Sequence, residues 1–337
     1  MDMQANQTSN RVAVDIGGTF TDVVIETEGV QHAAKVLTTS EAPERGVIEG
    51  VTGLLRQIGL DPANLNLLVH GTTLATNAII ERKGAISALI TTDGFRDVLD
   101  IGDEGRYDQY DLSIEKPRPL IPRHLRFTVP ERVSVEGNIL KPLDEQAVEA
   151  LVPRLIDHQV QSVAIAFLHG YRMGAHEERT AEILRELAPH LSVTIASEVC
   201  PEIREYERFS TASANAYVQP LMASYLRRLD EAFVELGMTC PLLLMTSGGG
   251  LTTLETAARF PIRLVESGPA AGVILAGHEA RSNGLKEVLS FDMGGTTAKI
   301  CLLDEGRGQT ARTFEVDRAA RFVKGSGLPL RIPVVEM

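Results

Sequence analysis

The hydrophobic pattern of the chain alternates between the period of a β-strand and the period of an α-helix. Residues 12–15 and 23–25 are β-rich and flank a tight Gly17-Gly18 turn, which predicts a hairpin. Further strands are predicted within the apolar segments 65–73, 85–94, 162–170 and 192–197. Helices are predicted where apolar residues recur every three or four positions, within 42–60, 75–84, 176–187 and 201–236. Strands that alternate with helices indicate an α/β fold.

A long helical passage divides this pattern into two parts. Residues 201–236 are helical in character throughout, and Pro220 is expected to break or kink the helix. Beyond this passage, three segments consist of a strand followed by a glycine-rich turn. A chain of 337 residues also exceeds what one hydrophobic core usually serves. We therefore predict two lobes, residues 1–200 and residues 201–337.

Composition and charge narrow the classes of partner. The chain is 44% hydrophobic and 23% charged, carries a net charge of -12 and contains no Lys/Arg-rich run. Nucleic acid and anionic membranes are therefore not expected to bind. No run of 18 or more apolar residues occurs, and the three cysteines match neither a zinc site nor a disulfide framework. We expect a cytoplasmic protein.

One short signature occurs twice, as VAVDIGGTFTDVVI at residues 12–25 and as SFDMGGTTAKICLL at residues 290–303. Glycines at a turn let backbone N–H groups approach an anion, and Mg²⁺ prefers oxygen ligands such as a strand-end carboxylate. The predicted metal ligands are Asp15 and Asp292. The predicted phosphate-binding residues are Gly17, Gly18, Thr19, Gly294, Gly295, Thr296 and Thr297. The alternative is a hairpin whose glycines only make the turn, which two matching copies disfavour.

Several single residues have two interpretations each. His70 is either a donor to substrate or phosphate, together with Thr72, Thr73 and Asn77, or a satisfied core residue. Asp22 is either a cleft carboxylate or a solvent-facing one at a strand end. Lys299, its counterpart in the second copy, is either a positive charge near the phosphate or a solvated lysine.

Arg96, two glycine-rich segments and three histidines also bear on the predicted site. Arg96 either pairs with Asp97 or contacts the substrate. The segments TSGGG (246–250) and ESGPAAG (266–272) either hold an anion at a helix N-terminus or pack a helix closely on a strand. His158, His169 and His176 have no convincing metal spacing and are expected at the surface.

The two signatures resemble the phosphate motifs of the actin and hexokinase superfamily. Five further segments are similar to the hydantoinase A and 5-oxoprolinase family, which includes β subunits of ATP-dependent ketone carboxylases. They are HGTTLATNAIIERKGA, TTDGFRDVLDIG, FLHGYRMGAHEERTAEIL, SEVCPEIREYERFSTASANAYVQPLM and ESGPAAGVILAG. The resemblance implies a two-lobed actin/hexokinase-like (ribonuclease H-like) α/β fold that uses ATP and Mg²⁺. It implies catalytic roles for Asp15, Asp22, His70 and Asp292, and substrate contacts from Thr72, Thr73, Asn77 and Arg96.

The resemblance also implies a reaction. Lactam-opening members of the family phosphorylate the amide oxygen of a cyclic substrate, so that water can open the ring. The expected function is thus an ATP-dependent amidohydrolase acting with a second subunit of hydantoinase B type, in an oligomer. The alternatives are a ketone carboxylase β subunit, whose members phosphorylate an enolate, and a nucleotide-binding module without turnover. A sugar kinase is disfavoured by the five segments.

Two departures from the family pattern bear on these expectations. Asp103 and Glu104 follow residues 101–102 where family members commonly have a basic residue, which leaves the identity of the substrate open. Only 34 residues follow the second signature, fewer than a phosphate-2 lobe normally needs. We expect an N-terminal portion whose second lobe is truncated and whose apolar final segment is exposed.

Overall fold

In a computed structural model of the protein, residues 9–39, 41–293, 298–320 and 323–337 are described. The strands are β1 (Arg11–Ile16), β2 (Phe20–Thr27), β3 (Val30–Leu37), β4 (Leu67–Thr72), β5 (Ser87–Thr92), β6 (Arg126–Val129), β7 (Arg132–Val133), β8 (Ile139–Lys141), β9 (Ser162–Ala166), β10 (Ser192–Ile195), β11 (Leu242–Met245), β12 (Leu251–Thr253), β13 (Glu287–Met293), β14 (Ala298–Asp304), β15 (Arg307–Gly308), β16 (Thr310–Ala311), β17 (Phe314–Val316), β18 (Leu328–Leu330) and β19 (Val334–Val335). The helices are α1 (Pro43–Ile58), α2 (Leu74–Ile80), α3 (Val98–Ile101), α4 (Glu145–Glu149), α5 (Val152–Asp157), α6 (Ala175–Leu187), α7 (Ala196–Val199), α8 (Glu205–Glu235), α9 (Leu254–Arg259) and α10 (Ser267–Ser282). Short 3₁₀ turns lie at Pro62–Asn64, Arg123–Leu125 and Pro261–Leu264.

The largest sheet has six strands in the order β12-β11-β4-β1-β2-β3. Strands β1, β2 and β3 form an antiparallel meander, and β4 and β11 extend it in parallel to β1. Val12, Val14 and Ile16 alternate with exposed residues along β1, so one face of the strand enters the core. This alternation fixes the direction in which Asp15 points.

The sequence placed residues 242–253 in the second lobe, but β11 and β12 complete the first sheet. Strand β11 pairs with β4 on the side away from β1 and buries Leu244 fully. Strand β4 would otherwise present unpaired backbone groups and apolar side chains at an open edge, which explains the arrangement. The proposed division at residue 200 therefore does not coincide with the division between sheets, and it stays a prediction.

A second sheet, with the order β10-β9-β5-β6, is parallel throughout. Every residue of β5 and β9 is buried, as expected for parallel strands that are covered on both faces. Helix α8, a single helix of 31 residues that contains Pro220, packs on this sheet with its first half. Its second half packs in the core of the first sheet, so one helix joins the two cores.

A third sheet, β13-β14-β15, packs on α10 through a small cluster that includes Val273, Cys301 and Leu303. The apolar final segment, expected to be exposed, instead folds back on the molecule. Leu330 and Val334 are buried in the core of the first sheet because β18 pairs with β17 and β19 pairs with β16. In the described part of the chain, no helix combines the length and hydropathy needed to cross a lipid bilayer.

Candidate functional site

The two signatures bring carboxylates into electrostatic contact. Asp15 lies near the end of β1, opposite Asp22 in the register of β1 and β2. The negative charge of Asp292, on β13, also acts on the Asp15 carboxylate. Its side chain is accessible to solvent but surrounded by protein atoms, and this partial loss of water raises the pKa of Asp15. The negative charges of Asp22 and Asp292 raise the same pKa further. The site is therefore a concave position with an excess of negative charge.

Two glycines make room for the Asp15 carboxylate. Gly71 is the register partner of Asp15 on β4, and a Cβ atom there would lie 2.8 Å from Asp15 Oδ1. At Gly268, in the first turn of α10, a Cβ atom would lie 3.4 Å from the same oxygen. The segments HGTT and ESGP thus approach Asp15 from two sides, and a side chain at Gly71 would displace it.

Hydrogen bonds fasten the N-terminus of α10 to β4. Ser267 Oγ donates to the Thr72 carbonyl at 3.2 Å and accepts from the Thr72 backbone N–H at 3.4 Å. The Glu266 backbone N–H donates to Thr76 Oγ1 at 3.2 Å. The first N–H groups of a helix lack partners within the helix and carry a partial positive charge. A phosphate beside Asp15 would face this end of the 16-residue α10.

The predicted substrate residues Thr73 and Asn77 brace the first glycine turn. Thr73 Oγ1 donates to the Ile16 carbonyl at 3.0 Å, and Asn77 Nδ2 donates to Thr73 Oγ1 at 3.3 Å. Asn77 Nδ2 is also the nearest atom to the position of a Cβ at Gly18, at 3.9 Å. These residues therefore position the turn, and Asn77 sits where a ligand held by the turn would meet it.

The other residues of the first turn are fixed by local contacts. The Gly17 backbone N–H donates to the Phe20 carbonyl at 2.9 Å, which closes the turn. Thr38 Oγ1 donates to the Gly17 carbonyl, and the Thr38 N–H donates to the Thr19 carbonyl. Gly18 and Thr19 remain exposed at the tip. The turn thus has a rigid base and an accessible tip.

The second signature contributes a charge pair. Asp292 lies opposite Lys299 in the register of β13 and β14, and the Lys299 ammonium contacts the Glu266 carboxylate at the start of α10. Partial burial lowers the pKa of Lys299 to about 8, while the contact with Glu266 favours its charged form. Lys299 is therefore not a freely solvated lysine. Gly294, Gly295, Thr296 and Thr297 lie outside the described residues, so their predicted role stays a prediction.

His70 lies in the core and not in the cleft. It is fully buried, its Nδ1 lies 3.2 Å from the Val14 carbonyl, and its Nε2 lies 2.7 Å from the Tyr225 hydroxyl. Burial lowers the pKa of His70 to about 4, so the ring is neutral at neutral pH. These contacts favour the core interpretation of His70, and no contact in the structure supports its predicted catalytic role.

The remaining predicted residues lie apart from Asp15 or have other partners. Asp22 is about half exposed and forms an ion pair with Lys35 at 3.1 Å, although its charge reaches Asp15. Arg96 does not pair with Asp97 as one interpretation expected. Asp97 instead accepts two hydrogen bonds from Arg123, whose carbonyl accepts one from Arg96. The loop is therefore held by Arg123.

A buried polar network was missed by the sequence analysis. His176, expected at the surface, is buried, and its Nδ1 lies 2.8 Å from Glu131 Oε2. Thr92 Oγ1 donates to the other oxygen of Glu131 and accepts from the Leu168 N–H. The signal was present, because His176, Thr180 and Leu184 recur at helical spacing on the face of α6 that packs inward. Among the described residues, no group of three His, Cys, Asp or Glu side chains has the geometry of a metal site.

Known proteins share this architecture. An uncharacterised protein of Methanocaldococcus jannaschii is 38% identical over 335 residues, which are 97% of this chain and 49% of that protein. The caprolactamase subunit alpha of Pseudomonas jessenii is 35% identical over 304 residues, 88% of this chain and 44% of that subunit. The chain thus spans about half the length of the relatives it matches.

Solved structures agree with the fold. A nucleotide-free acetone carboxylase matches with a TM-score of 0.85 and 25% identity, over 97% of this chain and 47% of that one. The ATP-dependent caprolactamase of Pseudomonas jessenii matches with a TM-score of 0.83 and 32% identity, over the same shares. These matches confirm the predicted α/β fold of the actin/hexokinase-like ATPase type.

Family descriptions cover almost the whole chain. The hydantoinase/oxoprolinase N-terminal region matches residues 11–188, and the hydantoinase/oxoprolinase description matches residues 208–337. The first match contains the Asp15 turn and the HGTT segment, and the second contains ESGP and Asp292. The residues that meet around Asp15 thus come from both parts, and the chain belongs to the hydantoinase/oxoprolinase family.

Proposed function

We propose that the chain is the nucleotide-binding part of an ATP-dependent amidohydrolase that opens a cyclic amide of the hydantoin or 5-oxoproline type. The observation that carries this proposal is the position of Asp15: it lies beside Gly268 at the N-terminus of α10 and within electrostatic range of Asp292. A caprolactamase, an enzyme named for a cyclic amide, is among its structural relatives. Both the site and the relatives therefore favour phosphoryl activation of an amide.

The proposed reaction places the polyphosphate of ATP between the two hairpins. The amide oxygen of the ring attacks the γ-phosphorus, and ADP leaves. A first water adds to the activated carbon, and the ring C–N bond breaks, which leaves a free amine and an acyl phosphate. A second water then hydrolyses the acyl phosphate to a carboxylate and inorganic phosphate. The chain contributes position and charge: backbone N–H groups at the tip of the first turn, Gly18 and Thr19, and at the start of α10 bind phosphate oxygens, and Lys299 adds a positive charge.

The carboxylates suit a magnesium ion. Burial raises the pKa of Asp15, and the charges of Asp22 and Asp292 raise it further, so a cation beside Asp15 would relieve this repulsion. Carboxylate oxygens are the ligands that Mg²⁺ prefers. Asp15 and Asp292 are the proposed ligands, directly or through water. When bound there, Mg²⁺ neutralises charge on the phosphates. Asp15 also has to be ionised to act, which the cation promotes.

Turnover assays test this proposal. ATP consumption would be measured with magnesium and, in turn, hydantoin, 5-oxoproline, caprolactam, and acetone with bicarbonate. We expect phosphate release that depends on a cyclic amide and on Asp15. Release with acetone and bicarbonate alone would instead identify a ketone carboxylase subunit. ATP binding without release on any substrate would identify a nucleotide-binding module.

The carboxylase alternative rests on a specific observation, the TM-score of 0.85 to acetone carboxylase. The amidohydrolase is preferred because caprolactamase matches at higher identity, 32% against 25%, over the same share of the chain. The substrate panel separates the two directly.

We further propose a second subunit of hydantoinase B type, an oligomeric assembly and a cytoplasmic setting. The caprolactamase relative is itself named as a subunit, which supports a partner. Cys200, Cys240 and Cys301 are free thiols, which supports a reducing compartment. Co-expression with a hydantoinase B type protein and size-exclusion chromatography tests the assembly: two separate peaks would contradict it.

A further inference from the structure

A cavity of about 420 Å³ lies apart from the cleft of Asp15. It is lined by residues of the segment 99–119, by Tyr206 at the start of α8, and by Glu315, Gly325, Gly327 and Pro329. None of the residues assigned to phosphate, metal or substrate lines it. Its volume lies within the range of pockets that bind small molecules.

The cavity has cations that no carboxylate neutralises. Arg106, Lys116 and Arg118 line it, and none of them forms an ion pair with a residue that the structure describes. Arg106 donates to the backbone carbonyl of Asp111, and Lys116 donates to that of Ile101. Carbonyl contacts leave the positive charges in place, so the cavity retains three of them.

The carboxylates of the cavity are mostly engaged elsewhere. Asp100 is paired with Arg126, and Glu315 is paired with Arg318 and also accepts from the Gly325 N–H. Only Asp103, which accepts from the Gly105 N–H, faces the cavity without a cationic partner among the described residues. Three cations against one such carboxylate leave an excess of positive charge, although the whole chain carries -12.

Hydroxyl groups complete the inner wall. Burial, together with the negative charges of Asp103, Glu207 and Glu315, raises the pKa of Tyr206 to about 12, so its hydroxyl is a hydrogen-bond donor at neutral pH. A second, water-sized cavity of about 10 Å³ shares Leu99, Pro119 and Tyr206 with the first. Ser213 Oγ lines it and is buried without a hydrogen-bond partner. A buried hydroxyl without a partner costs free energy unless a ligand or water satisfies it.

We propose that this cavity binds a small organic carboxylate. The anion would meet Arg118 and Arg106, its apolar body would lie against Leu99 and Pro119, and a further acceptor would take the Tyr206 hydroxyl proton. Arginine is suited to the task because its planar guanidinium binds a carboxylate through two parallel hydrogen bonds. The cavity contains none of the residues assigned to ATP or magnesium, and substitutions at Arg118 distinguish binding here from binding of a substrate beside Asp15.

Calorimetric titration of the full chain, without ATP or magnesium, tests the proposal with matched probes. The probes are 5-oxoproline, 2-pyrrolidinone, which is the same ring without the carboxylate, and inorganic phosphate. We expect 5-oxoproline to bind about ten-fold or more tightly than either of the other two. Arg118→Gln is expected to weaken binding by a similar factor and Arg118→Lys by less. Arg227→Gln, an exposed position on α8, is the matched control and leaves the affinity unchanged.

Three results would overturn the proposal. Equal affinity for 2-pyrrolidinone would show that the carboxylate is not recognised. Equal affinity for phosphate would indicate a general anion patch. Unchanged binding in Arg118→Gln, with the thermal unfolding midpoint of the wild type, would place the ligand elsewhere.

Discussion

The two hairpins that carry the repeated signature have the same local sequence and different surroundings. Strand β1 has neighbours on both sides, β2 and β4, and Val14 and Ile16 are buried beneath it. Strand β13 is the edge of a three-stranded sheet, and its outer face leaves Leu289 and Phe291 each 56% exposed. Both copies of the signature therefore place a carboxylate on a strand of an antiparallel pair, whereas the rest of the chain decides how firmly each pair of strands is held.

The inner face of the second hairpin shows the same distinction. Val288 and Leu303 are register partners that face α10, and Asp292 and Lys299 follow on the same face toward the cleft. Among the described residues, the second hairpin packs on α10 and on Val335 of β19 through this small cluster. The first hairpin is held by the six-stranded sheet and by its large core. Four measurements test whether the two hairpins differ in this way.

The largest expected effect concerns the carboxylates themselves. If both hairpins hold one phosphate chain, Asp15→Ala and Asp292→Ala should each lower magnesium-dependent ATP turnover by about 100-fold or more. Asp230→Ala, an exposed carboxylate on α8, is the control and should keep the wild-type rate. Loss in Asp15→Ala alone would show that the second hairpin is not part of the site.

The free energy of unfolding should respond differently to the loss of one isoleucine from each hairpin. Ile16 in β1 is fully buried, whereas Ile300 in β14 is 49% exposed. We expect Ile16→Ala to lower the free energy of unfolding by about 2–5 kcal/mol, the range for a buried Ile-to-Ala change, and Ile300→Ala by less than about 1 kcal/mol. Urea unfolding monitored by circular dichroism measures both. Equal losses would mean that the outer face of β14 is covered in solution.

His70 lies on β4, the strand that pairs with the first hairpin, and it should make the free energy of unfolding depend on pH. The pKa of His70 is about 4 in the folded protein against an ordinary 6.5, so the unfolded chain takes up the proton first as pH falls. The stability from neutral His70 is complete above pH 6.5 and is lost as pH falls toward 4, about 3 kcal/mol in all. Unfolding free energies at pH 4 to 7 should depend less on pH in His70→Asn. An unchanged dependence would contradict the assignment.

The smallest effect is a gain in stability at the site. Because burial and two neighbouring carboxylates raise the pKa of Asp15, its ionisation opposes folding as pH rises above 3.8. Asp15→Asn should therefore raise the thermal unfolding midpoint slightly at pH 7 and lose this advantage below pH 3.8. Asp230→Asn, the exposed control on α8, should show no such gain. A lower midpoint for Asp15→Asn at pH 7 would show that the carboxylate stabilises the unliganded protein.

Helices and strands were predictable from sequence wherever the hydrophobic periodicity of the element itself shows which face is buried. The β1–β2 hairpin, α1, α8 and the apolar strand β9 all lie where the periodicity placed them. The strand at 242–245 was also found, but its sheet was not, because an apolar run does not state which edge it will join. His176 was misplaced because it was treated as an isolated residue rather than as part of the inner face of α6.

The site was predictable to the extent that it repeats a motif. The duplication of the signature predicts that Asp15 and Asp292 act at one site, and the charge of Asp292 does reach Asp15. The ion pair between Glu266 and Lys299 was not predictable, because it joins two segments that no local pattern relates. The partner of His70 is likewise 155 residues away in the chain. Long-range contacts of this kind depend on packing, and packing is not encoded in any one stretch.

Pro220 has a mechanical consequence. It removes one backbone hydrogen bond from α8, between the half that packs in the core of the second sheet and the half that packs in the core of the first. We therefore expect α8 to bend more easily at this position than elsewhere along its length. Such bending would let the parallel sheet shift slightly while the buried base of the first hairpin keeps its position.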